Sequence, residues 1–386
     1  MAQTSAPPRV RDPRLDFFRG IGMLIIFTAH MPGNWWTLWI PARFGFSDAT
    51  EIFVFCSGMA SAIAFGGVFE RRGWPMGVAR VVHRMWQVYW CHVALFMAIA
   101  VSMVWLNSIT PNPDYNYVNY LNLTPFFNDP QSQLPGLLTL TYVPNYFDIL
   151  PMYLVLLALI PVVVGLYRLA GLYAAGGLIV GLWLLTQFGL TGLPAEPWTD
   201  RVWFFNPFGW GLVFFSGFFL GAGWLKAPAI RPWLLALAVA FVLISLPFAY
   251  FRIHTQVEWI GMIREDYLRI FIAKTEFGLF RWLHFLSLAY IAVALVGHKG
   301  VRLIADGLWG KIVAILMKVG QQSLAIFLMG MFAARLFGAA IDHIGSTALS
   351  MAAANLLGWG LLIVTAYMVA WFKSQPWRAK KTVSVA

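Results

Sequence analysis

The chain has 386 residues, 60% hydrophobic and 11% charged, with a mean hydropathy of +0.70. That balance excludes a water-soluble globule and predicts an all-α, polytopic membrane protein, because apolar runs of spanning length recur where a barrel would alternate polarity. The net charge of +11 raises nucleic acid as a partner, but the basic residues sit mainly in loops of one side, so the charge reads as a topology signal and no nucleic-acid partner is expected.

About ten transmembrane helices are predicted, near residues 17–32, 49–68, 77–106, 149–167, 171–189, 207–224, 233–251, 279–297, 312–337 and 347–372. With both termini cytoplasmic, fifteen Lys and Arg fall in cytoplasmic segments and six in exported ones, as the positive-inside rule asks. The predicted organisation is a cytoplasmic tail over 1–14, one membrane domain over 15–373 and a cytoplasmic tail over 374–386. No cleaved signal peptide is expected, since no small-residue cleavage site follows the first apolar run. Cys56 and Cys91 fall inside apolar helices and read as packing residues; neither a disulfide framework nor a metal site is expected.

The first span carries polar groups on one face. At about 100° per residue, Arg19 and His30 return to within roughly 20° of each other, and Asp16 lies about 60° from Arg19. His30 stands ~16 Å deeper than Arg19, in the outer half of the bilayer. Polar groups at such depth are unfavourable unless they face a cavity or a partner. Trp35, Trp36 and Trp39 follow at the exported interface, where they serve as an aromatic belt or, with Trp36, as a stacking platform for a sugar ring. Arg43 then leads into Ser47-Asp48-Ala49-Thr50-Glu51, in which Asp48 and Glu51 have capping-box spacing while Glu51 also lies a turn inside an apolar helix.

Arg80, His83 and Arg84 open the third span and suit either lipid headgroups or the phosphates of a cytosolic nucleotide-like donor. The 108–148 loop has no Lys or Arg and is long enough to cover the exported mouth of a site. It closes on Asp148, a helix cap or a hydroxyl-binding group, with Tyr153 a turn and a half on. The fifth to seventh spans and the 194–206 loop read as packing elements. The exported 252–278 loop mixes charges, including Lys274, as an interfacial helix or as a cationic wall for an anionic substrate. Arg281 and His284 open the eighth span. Gly320-Gln321-Gln322-Ser323 reads as a polar stripe inside the ninth, either bonding between helices or lining a channel.

These residues contain no metal-ligand pattern, nucleophile elbow or phosphate-cradling glycine loop. A buried histidine with nearby carboxylates permits general-base attack of a hydroxyl on an activated acyl group, with Asp48 or Glu51 orienting the ring. It equally permits a proton relay in a transporter.

The Arg19 to His30 spacing, with Asp16, resembles the signature of the integral-membrane acyltransferases. Within them, Arg11 to Gly20, Phe44 to Gly58, Asp148 to Tyr153 and Leu283 to Tyr290 resemble the OpgC-type osmoregulated periplasmic glucan succinyltransferases. That resemblance implies an enzyme of the bacterial inner membrane that transfers a succinyl group from cytosolic succinyl-CoA to hydroxyls of periplasmic glucans, with no tightly bound cofactor. Its partners would be acyl-CoA, the glucan and membrane lipids. Carried onto this chain, it implies His30 as general base, Arg19 and Asp16 organising the donor side, and Asp48 with Glu51 supporting the base or the acceptor. The expected catalytic set is then His30, Asp48 and Glu51, to which the reading of the residues themselves adds Arg14, Arg80 and Arg84 on the donor side and Trp36, Arg43, Asp148, Tyr153, Lys274, Arg281 and His284 on the acceptor side. Ala29 precedes the histidine, so an orienting partner for the ring is expected from another helix. The rivals are another acyl group or glycan, a transporter or flippase, and a noncatalytic scaffold.

Overall fold

The computed structural model describes residues 12–110, 112 and 114–378. The N-terminal tail 1–14 and the C-terminal tail 374–386 of the sequence reading lie mostly outside them. Its principal elements are α1 (Pro13–His30), α2 (Ala49–Ser61), α3 (Gly67–Ile109), α4 (Ile149–Gln187), α5 (Pro207–Ala222), α6 (Pro232–Ala249), α7 (Leu279–Val296), α8 (Gly307–Gln321), α9 (Ser323–Ile344) and α10 (Ala348–Ser374). Among the described residues, 6 helical stretches are long and apolar enough to cross a membrane. The chain is thus a multi-pass membrane protein.

Helix ends follow local chemistry. Asp12 caps α1 ahead of Pro13, and Pro32 stops it after His30. Asn206-Pro207 opens α5, and Gly223 (φ 75) closes it. α2 runs on through a widened turn at 62–66 into α3, which bends where Gly73 takes φ 80. α4 likewise bends at Gly171 (φ 74). At both glycines the helical dihedrals are broken, so each of these two pairs of spans predicted from sequence is two helices joined at a glycine kink.

The predicted span 312–337 differs more. Gln322 leaves helical geometry (φ −104, ψ 25) and separates α8 from α9. The polar stripe is a helix break, where Lys373 Nζ donates to Gln322 Oε1 at 2.6 Å. α8 lies across α1, with Gly20 against the Leu316 backbone and Gly320 against the Asp16 backbone. Val313 and Leu303 bury the Phe17 side of that crossing.

The core is aromatic. Trp210, Phe214, Phe215 and Phe218 of α5 are fully buried among Phe96, Tyr142, Phe147 and Leu157. α2 and α5 approach backbone to backbone, because Gly58 faces the Phe214 carbonyl and Gly217 the Phe55 carbonyl. Without a hydrophobic drive between helices in lipid, close packing of this kind holds a bundle together. α6 buries only Ala238 and Ser245 and turns Leu237, Leu243 and Ile244 outward, as a peripheral lipid-facing helix does.

Candidate active site

The last turn of α1 is held from α10. Asn34 Nδ2 donates to Asn355 Oδ1 (2.9 Å) and to the Thr28 carbonyl (3.0 Å), while Asn355 Nδ2 returns a bond to Asn34 Oδ1 (3.1 Å). Trp359 Nε1 reaches the Leu24 carbonyl and Thr28 Oγ1. All of these donors and acceptors find partners, so the end of α1 is rigid in a setting where unmet polar groups are unfavourable.

On that turn, His30 Nδ1 lies 2.8 Å from the Ile26 carbonyl oxygen. A carbonyl only accepts, so Nδ1 carries the proton and the neutral ring keeps its lone pair on Nε2. The partner comes from the histidine's own helix, correcting the expectation of one from a neighbour. A carbonyl oxygen has two lone pairs, so that of Ile26 can take the ring N–H as well as a helical amide.

His30 opens on a cavity of ≈ 300 Å³. Its polar wall is Thr50, Asn145, Asp148 and Lys274; Tyr146, Phe204, Phe205 and Phe327 supply the aromatic wall. The Tyr146 ring meets the His30 ring edge-on at 5.3 Å. The long loop is ordered where it matters: Tyr142 Oη donates to the Asn122 carbonyl, and Val143 pairs with Ala195. Asn145, Tyr146 and Asp148 are thereby fixed over the cavity, consistent with the covering role expected of 108–148.

Beside the cavity lies a neutral cluster of four charges at the start of α2. Asp48 caps the helix by accepting from the Thr50 amide at 2.7 Å and receives Lys274 Nζ at 2.6 Å. Glu51 closes the capping box by accepting from the Asp48 amide at 2.7 Å, and its other oxygen accepts from Arg281 Nε at 2.9 Å. Capping and charge pairing are thus both satisfied by the same two carboxylates, whose oxygens bond these groups and not the His30 ring. One turn on, His284 Nδ1 accepts from the Ser47 amide (3.3 Å) and hydroxyl (2.7 Å). Its ring fills the space in which Gly45 would carry a Cβ. His284 and Arg281 therefore position the chain entering α2.

The remaining expected residues disperse. Trp36 packs edge-on against Trp359 at 5.9 Å, and Arg43 Nε bonds the Thr37 carbonyl, away from the cavity wall. Tyr153 Oη stands 3.4 Å from Ser61 Oγ, also outside the wall. Arg14 pairs with Asp12 at 2.6 Å. Asp16 is buried and Arg19 half-buried, with both charges near Cys56. Arg80 is exposed, and Arg84 bonds Gln87 at 3.1 Å and stands near Lys373.

Several wall residues escaped the sequence reading. Tyr146, Phe204 and Phe205 lie in loops and carry no local signal of function. Arg335, outside the wall itself but with its guanidinium carbon 3.9 Å over the Tyr146 ring, did carry one: it is an arginine in the middle of an apolar helix.

Fold and cavity together define a multi-pass helical membrane protein whose polar site lies within its helix bundle, at the end of its first helix. The OpgC protein family model matches residues 11–374, nearly the whole chain, and the chain belongs to that family. Membership implies a transferase. No curated protein and no solved structure matches the chain.

Proposed function

We propose that the protein is a membrane O-acyltransferase that moves a succinyl group from cytosolic succinyl-CoA to hydroxyls of periplasmic glucans in the bacterial inner membrane. The observation that carries this reading is the His30 tautomer: Nδ1–H is committed to the Ile26 carbonyl, and Nε2 is left to accept a proton in a cavity lined by polar groups.

In this reading the glucan hydroxyl binds near Asp148 and Asn145 and gives its proton to His30 Nε2 as its oxygen attacks the thioester carbonyl carbon. Lys274 keeps two N–H groups beyond the one given to Asp48, and these support the negative oxygen of the tetrahedral intermediate. The carbon–sulfur bond then breaks, and the imidazolium returns its proton to the coenzyme A thiolate. The products are a glucan succinyl ester and coenzyme A. Arg19 and Asp16 lie at the opposite end of α1, on the donor side, and Arg84 with Lys373 adds cationic groups for the donor phosphates. Asp48 and Glu51 act by holding Lys274 and Arg281 in place.

Incubation of the purified protein with labelled succinyl-CoA and periplasmic glucan tests the activity, and mass spectrometry of glucans from wild-type and deletion strains identifies the group transferred. Label should enter the glucan; unlabelled product together with unchanged glucans in the deletion strain would sink the reading. His30→Ala is expected to lower transfer by roughly 10²–10⁴-fold with the fold retained. A scaffold or a flippase predicts no such loss of ester formation.

A further inference from the structure

We propose that Arg335 selects for an acyl group that ends in a carboxylate, binding that carboxylate at the Tyr146 edge of the cavity while the other end of the acyl chain reacts at His30. The inference rests on the acyltransferase reading and extends it to donor specificity.

The ion pairs around the cavity leave out Arg335 and also Asp148, whose carboxylate accepts from the Phe204 amide. Asp48 and Glu51 are matched by Lys274 and Arg281, and Glu196 is matched by Arg201. Arg335 has no carboxylate within 4.0 Å among the described residues, and its Nε is buried without a hydrogen-bond partner. Asp342, two turns on in the same helix, is taken by the Tyr117 hydroxyl at 3.2 Å. An arginine inside an apolar helix normally has a counter-charge, and a tyrosine face replaces only part of one. A ligand carboxylate supplies the rest, and a guanidinium is the cation best shaped to receive it.

The tyrosine between the two groups is held in place. Tyr146 takes φ 88, a conformation that bulky residues avoid. Three contacts secure it there: its hydroxyl donates to the Met331 carbonyl at 2.7 Å, the Arg335 guanidinium covers one face, and His30 meets the ring edge-on. Backbone strain kept by surrounding contacts is a mark of a functional position. The two ring distances, 5.3 and 3.9 Å, bound the separation of the Arg335 guanidinium from the His30 ring at about 9 Å. The terminal carbons of a four-carbon diacid are three bonds and about 4 Å apart. Contact distances at each end fill the remainder. Met331, one turn before Arg335, is itself a wall residue, which places Arg335 on the face of α9 that borders the cavity.

The test is a competition between succinyl-CoA and butyryl-CoA, equal in chain length and differing in the terminal carboxylate, with a neutral glucan as acceptor. The ratio of succinyl to butyryl esters is read by mass spectrometry. The unaltered chain should favour succinyl by on the order of a hundredfold, Arg335→Gln should bring the ratio close to one, and Arg335→Lys should keep most of the preference. Where a variant does not turn over, calorimetric binding of the two thioesters to it gives the same ratio. Arg335→Gln discriminating as the unaltered chain does would overturn the assignment, as would an unaltered chain that uses both donors equally. An unaltered chain that transfers neither group would instead sink the acyltransferase reading itself, so the two failures are distinguishable.

Discussion

Asp148 shows how one side chain's surroundings set its chemistry. It precedes α4 and faces the cavity, and burial pushes its carboxyl up to about 6 from 3.8, partly offset by the bond from the Phe204 amide at 2.9 Å and by the Arg201 charge. The folded state therefore holds a proton that the unfolded chain releases near pH 4. A raised carboxyl contributes stability at low pH that is lost as pH rises between about 4 and 6. Thermal unfolding of the purified protein should show this decline, on the order of 3 kcal/mol at most, and Asp148→Asn should flatten it. An equal pH dependence in the variant would place the titration elsewhere. His30 differs in kind: its role rests on a tautomer set by a backbone carbonyl, so no change to Asp48 or Glu51 should alter which nitrogen holds the proton.

Between helices, two devices hold the site. The first is backbone contact at glycine. Gly58 and Gly217 have no room for a Cβ against the facing carbonyls of α5 and α2, so Gly217→Val should force the helices apart and destabilise the protein by about 1–3 kcal/mol or more, seen as a lower Tm. An unchanged Tm would mean that the contact is not needed. The second is the charge cluster at the start of α2. Arg281 is 7% exposed and Glu51 0%, so removing one partner leaves a buried charge unmet. Arg281→Met alone is expected to cost about 3–5 kcal/mol, whereas Arg281→Met with Glu51→Leu should recover much of that loss. A double variant as unstable as the sum of the two singles would show that the pair is not coupled. The same cluster carries Lys274 into the cavity, so stability and site geometry share these residues.

For the molecule as a whole, composition and hydropathy were enough to establish an all-helical protein that crosses a membrane, because each apolar run reports its own need to leave water. The polar face of α1 was equally visible: the Arg19 to His30 spacing is a property of one helix, readable from its pitch. Local rules also located the Asp48 to Glu51 capping box and the stop at Pro32. What they could not supply was anything that depends on two segments meeting. Gln322 read as part of a continuous span because its neighbours are apolar, yet the crossing of α8 over α1 at Gly20 and Gly320 ends the helix there. The long loop read as a cover, but only its packing brought Tyr146 beside His30. Lys274 and Asp48, 226 residues apart, became a pair through the docking of the 273–278 segment under Trp210 and Trp183. Arg335 was legible as an anomaly and became meaningful only once its missing counter-charge could be seen in three dimensions. Sequence encodes each segment's own free energy in water and lipid, whereas the cavity is made by contacts between segments, and only the tertiary structure decides those.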